Sequence, residues 1–142
     1  MGFLSHREQH IPELDDINEE GLPRQAIMDV TTTIHDREYL VDISVTDAAS
    51  DCPTRTASRS NTDATAAKER ETQKRTWYRH DNRLIPFVLE TGGRWGPTAE
   101  EWIKNIAPTD PEERSTLLAQ LRYELSTSLQ RSNADAILTA YN

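Results

Sequence analysis

The chain is short of cysteine, of aromatic rings and of long apolar runs, and each shortage closes off a class of protein. Cys52 is the single cysteine in 142 residues, so neither an intramolecular disulfide nor a multi-cysteine zinc site can form. No run of eighteen apolar residues occurs, which argues against a membrane-spanning helix. The opening "MGFLSHREQHIPELDD" has too short an apolar run for a secretory signal. The Ser or Thr of the myristoylation pattern belongs where His6 stands, and Ser5 is one position early. With 35% hydrophobic and 28% charged residues, the expectation is one domain with a small core and long polar loops. Histidines are few, at 6, 10, 35 and 80. His6 and His10, four apart, suit either a metal-binding helix face or a solvated helix end.

The net charge of −8 is unfavourable for phosphate binding, yet it is unevenly spread. Residues 1–50 hold 11 acids against 3 Lys/Arg, whereas "KERETQKRTWYRHDNR" at 68–83 holds 6 bases against 3 acids, interleaved with Trp77 and Tyr78. Lys68, Arg70, Arg75, Arg79 and Arg83 make this segment the candidate DNA-facing surface. The plainer alternative is an ordinary solvated helix face.

Along the chain, residues 1–25 are polar and acidic, and read as a frayed helix or loop. Ala26–Ile34 and Tyr39–Thr46 are rich in Val, Ile and Thr and read as two strands joined by a turn at "HDRE". Residues 47–63 are small and polar, a loop. A helix is expected from Ala64 to about His80, capped by Thr62 or Asp63. "LIPFVLET", ending at Gly92-Gly93, reads as a buried strand. A short helix follows Pro97 with Trp102, Ile103 and Ile106 inward, and Trp95 and Trp102 are expected in the core or an interface. A long amphipathic helix then carries Leu117, Leu118, Leu121, Leu125 and Leu129, with a bend near Asn133. The order β-β-α-β-α-α gives an α/β or α+β domain. Its parts are an acidic segment at 1–25, a core at 26–107 and a helical extension at 108–142.

The residues that suggest chemistry are Asp29 in "IMDV" and Asp42 in "LVDIS". A carboxylate in an apolar strand is costly to desolvate unless paired or coordinated. On neighbouring strands the two can converge into a hard oxygen site suited to Mg²⁺ or Mn²⁺, the chemistry of phosphodiester hydrolysis. Ala67, Glu71, Lys74 and Tyr78 fall at spacings of 4, 3 and 4 and share one helix face. Lys74 could hold the attacking water or neutralise the scissile phosphate. Glu71 is either a further ligand or a salt-bridge partner of Lys74, and Tyr78 either orders the site or packs its ring. Glu90, at the end of the buried strand, could approach the metal, cap a turn or pair with Arg94.

The order "MDV", twelve residues, "VDISV", then Lys74 and Tyr78, together with "IPFVLETGGRWG" and "LRYELSTSLQRSNADAI", resembles the restriction-like endonuclease domain of site-specific non-LTR retrotransposon proteins. That domain belongs to the PD-(D/E)XK nuclease fold. The resemblance spans roughly residues 26–138. It implies a small mixed sheet flanked by helices and a Mg²⁺- or Mn²⁺-dependent endonuclease that nicks one DNA strand, whose 3′ end primes reverse transcription. Asp29 and Asp42 would be the ligands and Lys74 the catalytic cation. It also implies an intracellular protein, nuclear in a eukaryote, whose partners are DNA and a reverse transcriptase or targeting domain supplied elsewhere. Met28 replaces the motif's usual proline, and Ser44 stands where the lysine of E-x-K is usual, so Lys74 substitutes from the helix. The upstream cysteine-histidine knuckle of the parent proteins is missing. Two rivals remain: an inactive nuclease-fold interaction module, and a resolvase-like nuclease acting on branched DNA as a homodimer.

Overall fold

The computed structural model describes residues 5–48 and 64–140, and the expected caps Thr62 and Asp63 and most of the 47–63 loop lie outside them. Its centre is a four-stranded mixed sheet in the order β1-β4-β5-β6. The strands are β1 (Ser5–His10), β4 (Ile27–Ile34), β5 (Arg37–Thr46) and β6 (Leu84–Glu90). β1, β4 and β5 run antiparallel, and β6 joins β5 in parallel after a helical crossover. Two short strands, β2 (Asp16–Ile17) and β3 (Pro23–Arg24), pair separately. The helices are α1 (Thr65–Trp77), α2 (Pro97–Ile106) and α3 (Pro111–Ala140).

The β4–β5 hairpin follows from its composition. β-Branched residues favour the pleated strands, and Ile34 pairs with Arg37 across a two-residue loop. His35 and Asp36 have φ of 49° and 60°, the left-handed pair that a tight twisted hairpin requires. The turn is therefore His35-Asp36 alone, and the second strand starts two residues earlier than its apolar pattern suggests.

Residues 1–25 depart most from expectation. β1 pairs with β4, so the sheet begins before residue 26, and Ile11 and Leu14 are buried with Met28, Leu40, Tyr78 and Leu84. His6 and His10 thus sit exposed on a strand, and His10 Nε2 meets Asp15 at 2.9 Å. That disposes of the shared helix face.

On one face of the sheet, Val88 packs with Ala64 and Ala67. On the other, Val41, Phe87, Leu89 and Trp95 pack with Ala99 and Ile103, flanked by Trp102, Leu118, Leu121 and Leu125. Both tryptophans thus lie at the core as expected. α3 docks through these leucines and buried Leu129, and runs unbroken past Asn133, whose Nδ2 donates to the Thr91 carbonyl at 3.4 Å. No helix among the described residues is long and apolar enough to cross a membrane.

Candidate active site

The β4–β5 ladder stops at Val30↔Val41, and the next position on each strand is an aspartate. The β1–β4 register likewise passes over Glu8 and Asp29, resuming at Gln9↔Met28, with Glu8 at φ 51°. Both ladders are therefore interrupted at Asp29. There its carboxylate replaces the backbone acceptor, and Oδ2 accepts the Ile43 N–H at 2.6 Å. Asp29 is half-buried; Asp42, on the same hairpin, is 4% exposed.

Asp42 is not left uncompensated. α1 crosses above it and brings Lys74 Nζ to 2.7 Å from Oδ2, both side chains almost wholly buried. Taking two charges from water is costly, and close pairing offsets the cost. One turn further on, Tyr78 is buried within the electrostatic reach of the Asp42 carboxylate. Burial first, then the Asp42 charge and hydrogen bond, and more weakly the Asp29 charge, push Tyr78 up to about 12. Both aspartates thus bear on one hydroxyl, and the helix-face spacing brings Lys74 and Tyr78 to the carboxylates.

The two glutamates are placed elsewhere. Glu71 is buried and caps α2: Oε1 accepts the Thr98 N–H at 2.9 Å and Oε2 the Thr98 hydroxyl at 2.8 Å. Burial raises its pKa, partly offset by these two bonds. The ion-pair partner of Lys74 is Asp42, not Glu71. Glu90 Oε1 accepts the Ala67 N–H at 3.2 Å, in the first turn of α1, and Oε2 lies 3.9 Å from the Arg94 guanidinium. Neither helix has a side-chain cap from its own first residue: Ala64 and Gly96 occupy those positions. Each buried glutamate supplies the acceptor that an exposed helix N-terminus requires. No group of three or more His, Cys, Asp or Glu able to hold a metal occurs among the described residues.

The basic segment divides. Lys68 is exposed and Arg70 half-exposed on α1, where Arg70 lies 5.0 Å from the Trp77 ring centre and bonds Gln73. Arg70 lines an open cleft of about 570 Å³ with Val45, Thr46, Asp47, Ala66 and Gln73. The other three arginines bind the protein. Arg75 donates to Thr98 Oγ1 at 2.9 Å. Arg79 donates to the carbonyls of Glu13 and Asp15. Arg83 pairs with Asp81, Glu38 and Glu13 at 2.8, 2.9 and 3.2 Å. Arg24 was invisible in the sequence pattern, being 53 positions from its partner. Its guanidinium donates to the Trp77 carbonyl at 3.1 Å and lies 4.8 Å from that ring's centre, closing the C-terminal end of α1.

No family model matches this chain, and no curated protein or solved structure matches it either.

Proposed function

We propose that this chain is a metal-dependent DNA endonuclease domain that nicks one strand, of the restriction-like kind carried by site-specific non-LTR retrotransposon proteins. The observation that carries the reading is the meeting of Asp42, Lys74 and Tyr78 beside Asp29, at a point where one strand ladder ends and another skips a pair. A small mixed sheet flanked by helices is the setting the resemblance implies.

The donor set fits a hard divalent cation. Asp29 and Asp42 offer carboxylate oxygens, the ligands that Mg²⁺ and Mn²⁺ prefer, and they would hold it. Such an ion, when bound, lowers the pKa of water and neutralises charge on a phosphate. The chain's own groups do the rest. Lys74 places its ammonium 2.7 Å from Asp42 Oδ2, a cation whose N–H donors suit a phosphate oxygen or water. Tyr78, its pKa raised to about 12, keeps its proton at neutral pH beside the Asp42 carboxylate. Hydrolysis joins a water oxygen to phosphorus and breaks the bond to the 3′ oxygen, which leaves as a hydroxyl; the phosphate stays on the 5′ end. Lys68 and Arg70 are the cations placed to meet the DNA backbone.

One observation favours a second reading. The Lys74 ammonium already neutralises Asp42, and Arg75, Arg79 and Arg83 are spent on internal contacts. Both suit an inactive interaction module that keeps the fold. Nicking of supercoiled plasmid with Mg²⁺ or Mn²⁺ separates the two, with Asp29→Asn/Asp42→Asn as control. Open-circle product from the wild type alone supports the endonuclease. A folded wild type that makes none supports the module. Cleavage of a four-way junction in preference to linear duplex would instead favour the resolvase-like nuclease.

A further inference from the structure

We infer that Ser44 is a further catalytic residue of this site, its hydroxyl holding, together with the Lys74 ammonium, the water that attacks the phosphodiester. The inference rests on the endonuclease reading and adds a residue to it. Successive side chains along a strand alternate between faces, so Asp42 and Ser44 stand on the same face of β5. α1 covers that face: Lys74 pairs with Asp42, and Val88, the register partner of Ser44 on β6, packs against Ala64 and Ala67. Ser44 Oγ is shielded from solvent there and has no hydrogen-bond partner among the described residues.

A serine is a poor residue for that position on structural grounds alone. Its hydroxyl carries a desolvation penalty that no bond returns, and a valine or alanine would fill the covered face without one. An orphaned buried hydroxyl calls for an explanation in what the site binds. Its neighbour on the same face is the carboxylate–lysine pair. A hydroxyl can accept one proton and donate another, so Ser44 can orient a water whose other contact is Lys74. In the reaction that water's oxygen bonds to phosphorus, the bond from phosphorus to the 3′ oxygen breaks, and the proton count closes on the departing 3′ hydroxyl. Ser44 itself forms no covalent bond.

The test is plasmid nicking with Mn²⁺ over a range of DNA concentrations, for wild type, Ser44→Ala and Ser44→Thr, with a thermal melt of each. Misplacing a reacting group by about 1 Å costs up to ~100-fold in rate, so Ser44→Ala should lower kcat about 10- to 100-fold and leave KM unchanged. Its melting temperature should equal or exceed that of wild type, and Ser44→Thr, which keeps the hydroxyl, should retain most of the rate. Ser44→Ala turning over at the wild-type rate overturns the inference and leaves the endonuclease reading standing. So does a loss of rate that Ser44→Thr shares, or that accompanies a fall in melting temperature. A folded wild type that does not nick overturns the endonuclease reading, and this inference with it.

Discussion

The Glu71 carboxylate fills the space that a side chain at Gly96 would need. A Cβ built there would press into Glu71 Oε1 and lie 3.3 Å from the Val88 carbonyl oxygen. Gly96 has an ordinary φ of −66°, so the glycine is required by crowding, not by backbone conformation. Gly96→Ala should displace the cap from Thr98 and lower stability by about 1–3 kcal/mol, read as a fall in the denaturation midpoint. An unchanged midpoint would show that Glu71 can move aside at no cost.

Replacing Glu71 separates its charge from its acceptor. Burial raises its pKa above the unfolded value, so the folded state holds this proton more tightly than the unfolded chain. The stability linked to it is present below the unfolded pKa and is lost as pH rises through the folded one. Glu71→Gln keeps an acceptor for the Thr98 N–H and removes the charge, so it should flatten that loss and match or exceed wild-type stability at pH 7. Glu71→Ala should cost roughly 1–2 kcal/mol through the lost cap. Urea melts across pH 4 to 8 on the three proteins would show it.

Asp42→Ala should be worse for the fold than its small side chain suggests. It strands the Lys74 ammonium in a nearly dry site, and breaking a buried pair on one side costs about 3–5 kcal/mol. Asp42→Asn keeps the shape and is the better probe of function: divalent-cation affinity and nicking should both fall. A retained Mn²⁺ affinity, measured by calorimetry, would remove Asp42 from the site.

Tyr78 reports on the same carboxylate. The Asp42 charge and bond help push its pKa to about 12, so Asp42→Asn should move one tyrosine's titration down toward its ordinary value near 10. A raised folded pKa also means that stability linked to Tyr78 is present below pH 10 and is lost between about 10 and 12. Ultraviolet difference titration of wild type and Asp42→Asn, with Tyr78→Phe to assign the step, checks both. An unmoved step would mean that burial alone raises the value.

The divided basic segment predicts a divided response to DNA. Lys68→Ala and Arg70→Ala should each reduce the slope of log affinity against log salt by about 1. Arg83→Ala should leave that slope unchanged and lower the melting temperature, because its guanidinium serves Asp81, Glu38 and Glu13. Fluorescence anisotropy with a labelled duplex at several salt concentrations would reveal an Arg83 contribution if one exists.

The hairpin and helix α1 were legible because their signals are local. β-Branched runs flank a short polar turn, and spacings of 4, 3 and 4 align Lys74 and Tyr78. β1 was not legible: all six residues of "SHREQH" are exposed, so no apolar alternation marks them, and only pairing with β4 makes them a strand. The capping roles of Glu71 and Glu90 were not legible for a related reason: the backbone N–H groups these carboxylates accept lie 27 and 23 positions away, while the Glu90–Arg94 contact, four positions apart, was legible. The bend expected at Asn133 fails because the side chain bonds outward to Thr91, and the helix continues.

Those distant caps also bear on how the chain assembles. A helix that carries its own cap can begin to form alone, but the first turn of α1 waits for the end of β6 and the first turn of α2 waits for α1. Isolated helices of 13 and 10 residues are marginal in water. The caps that complete these two helices thus come from other elements, so the helices and the sheet around Asp42 and Lys74 stabilise one another.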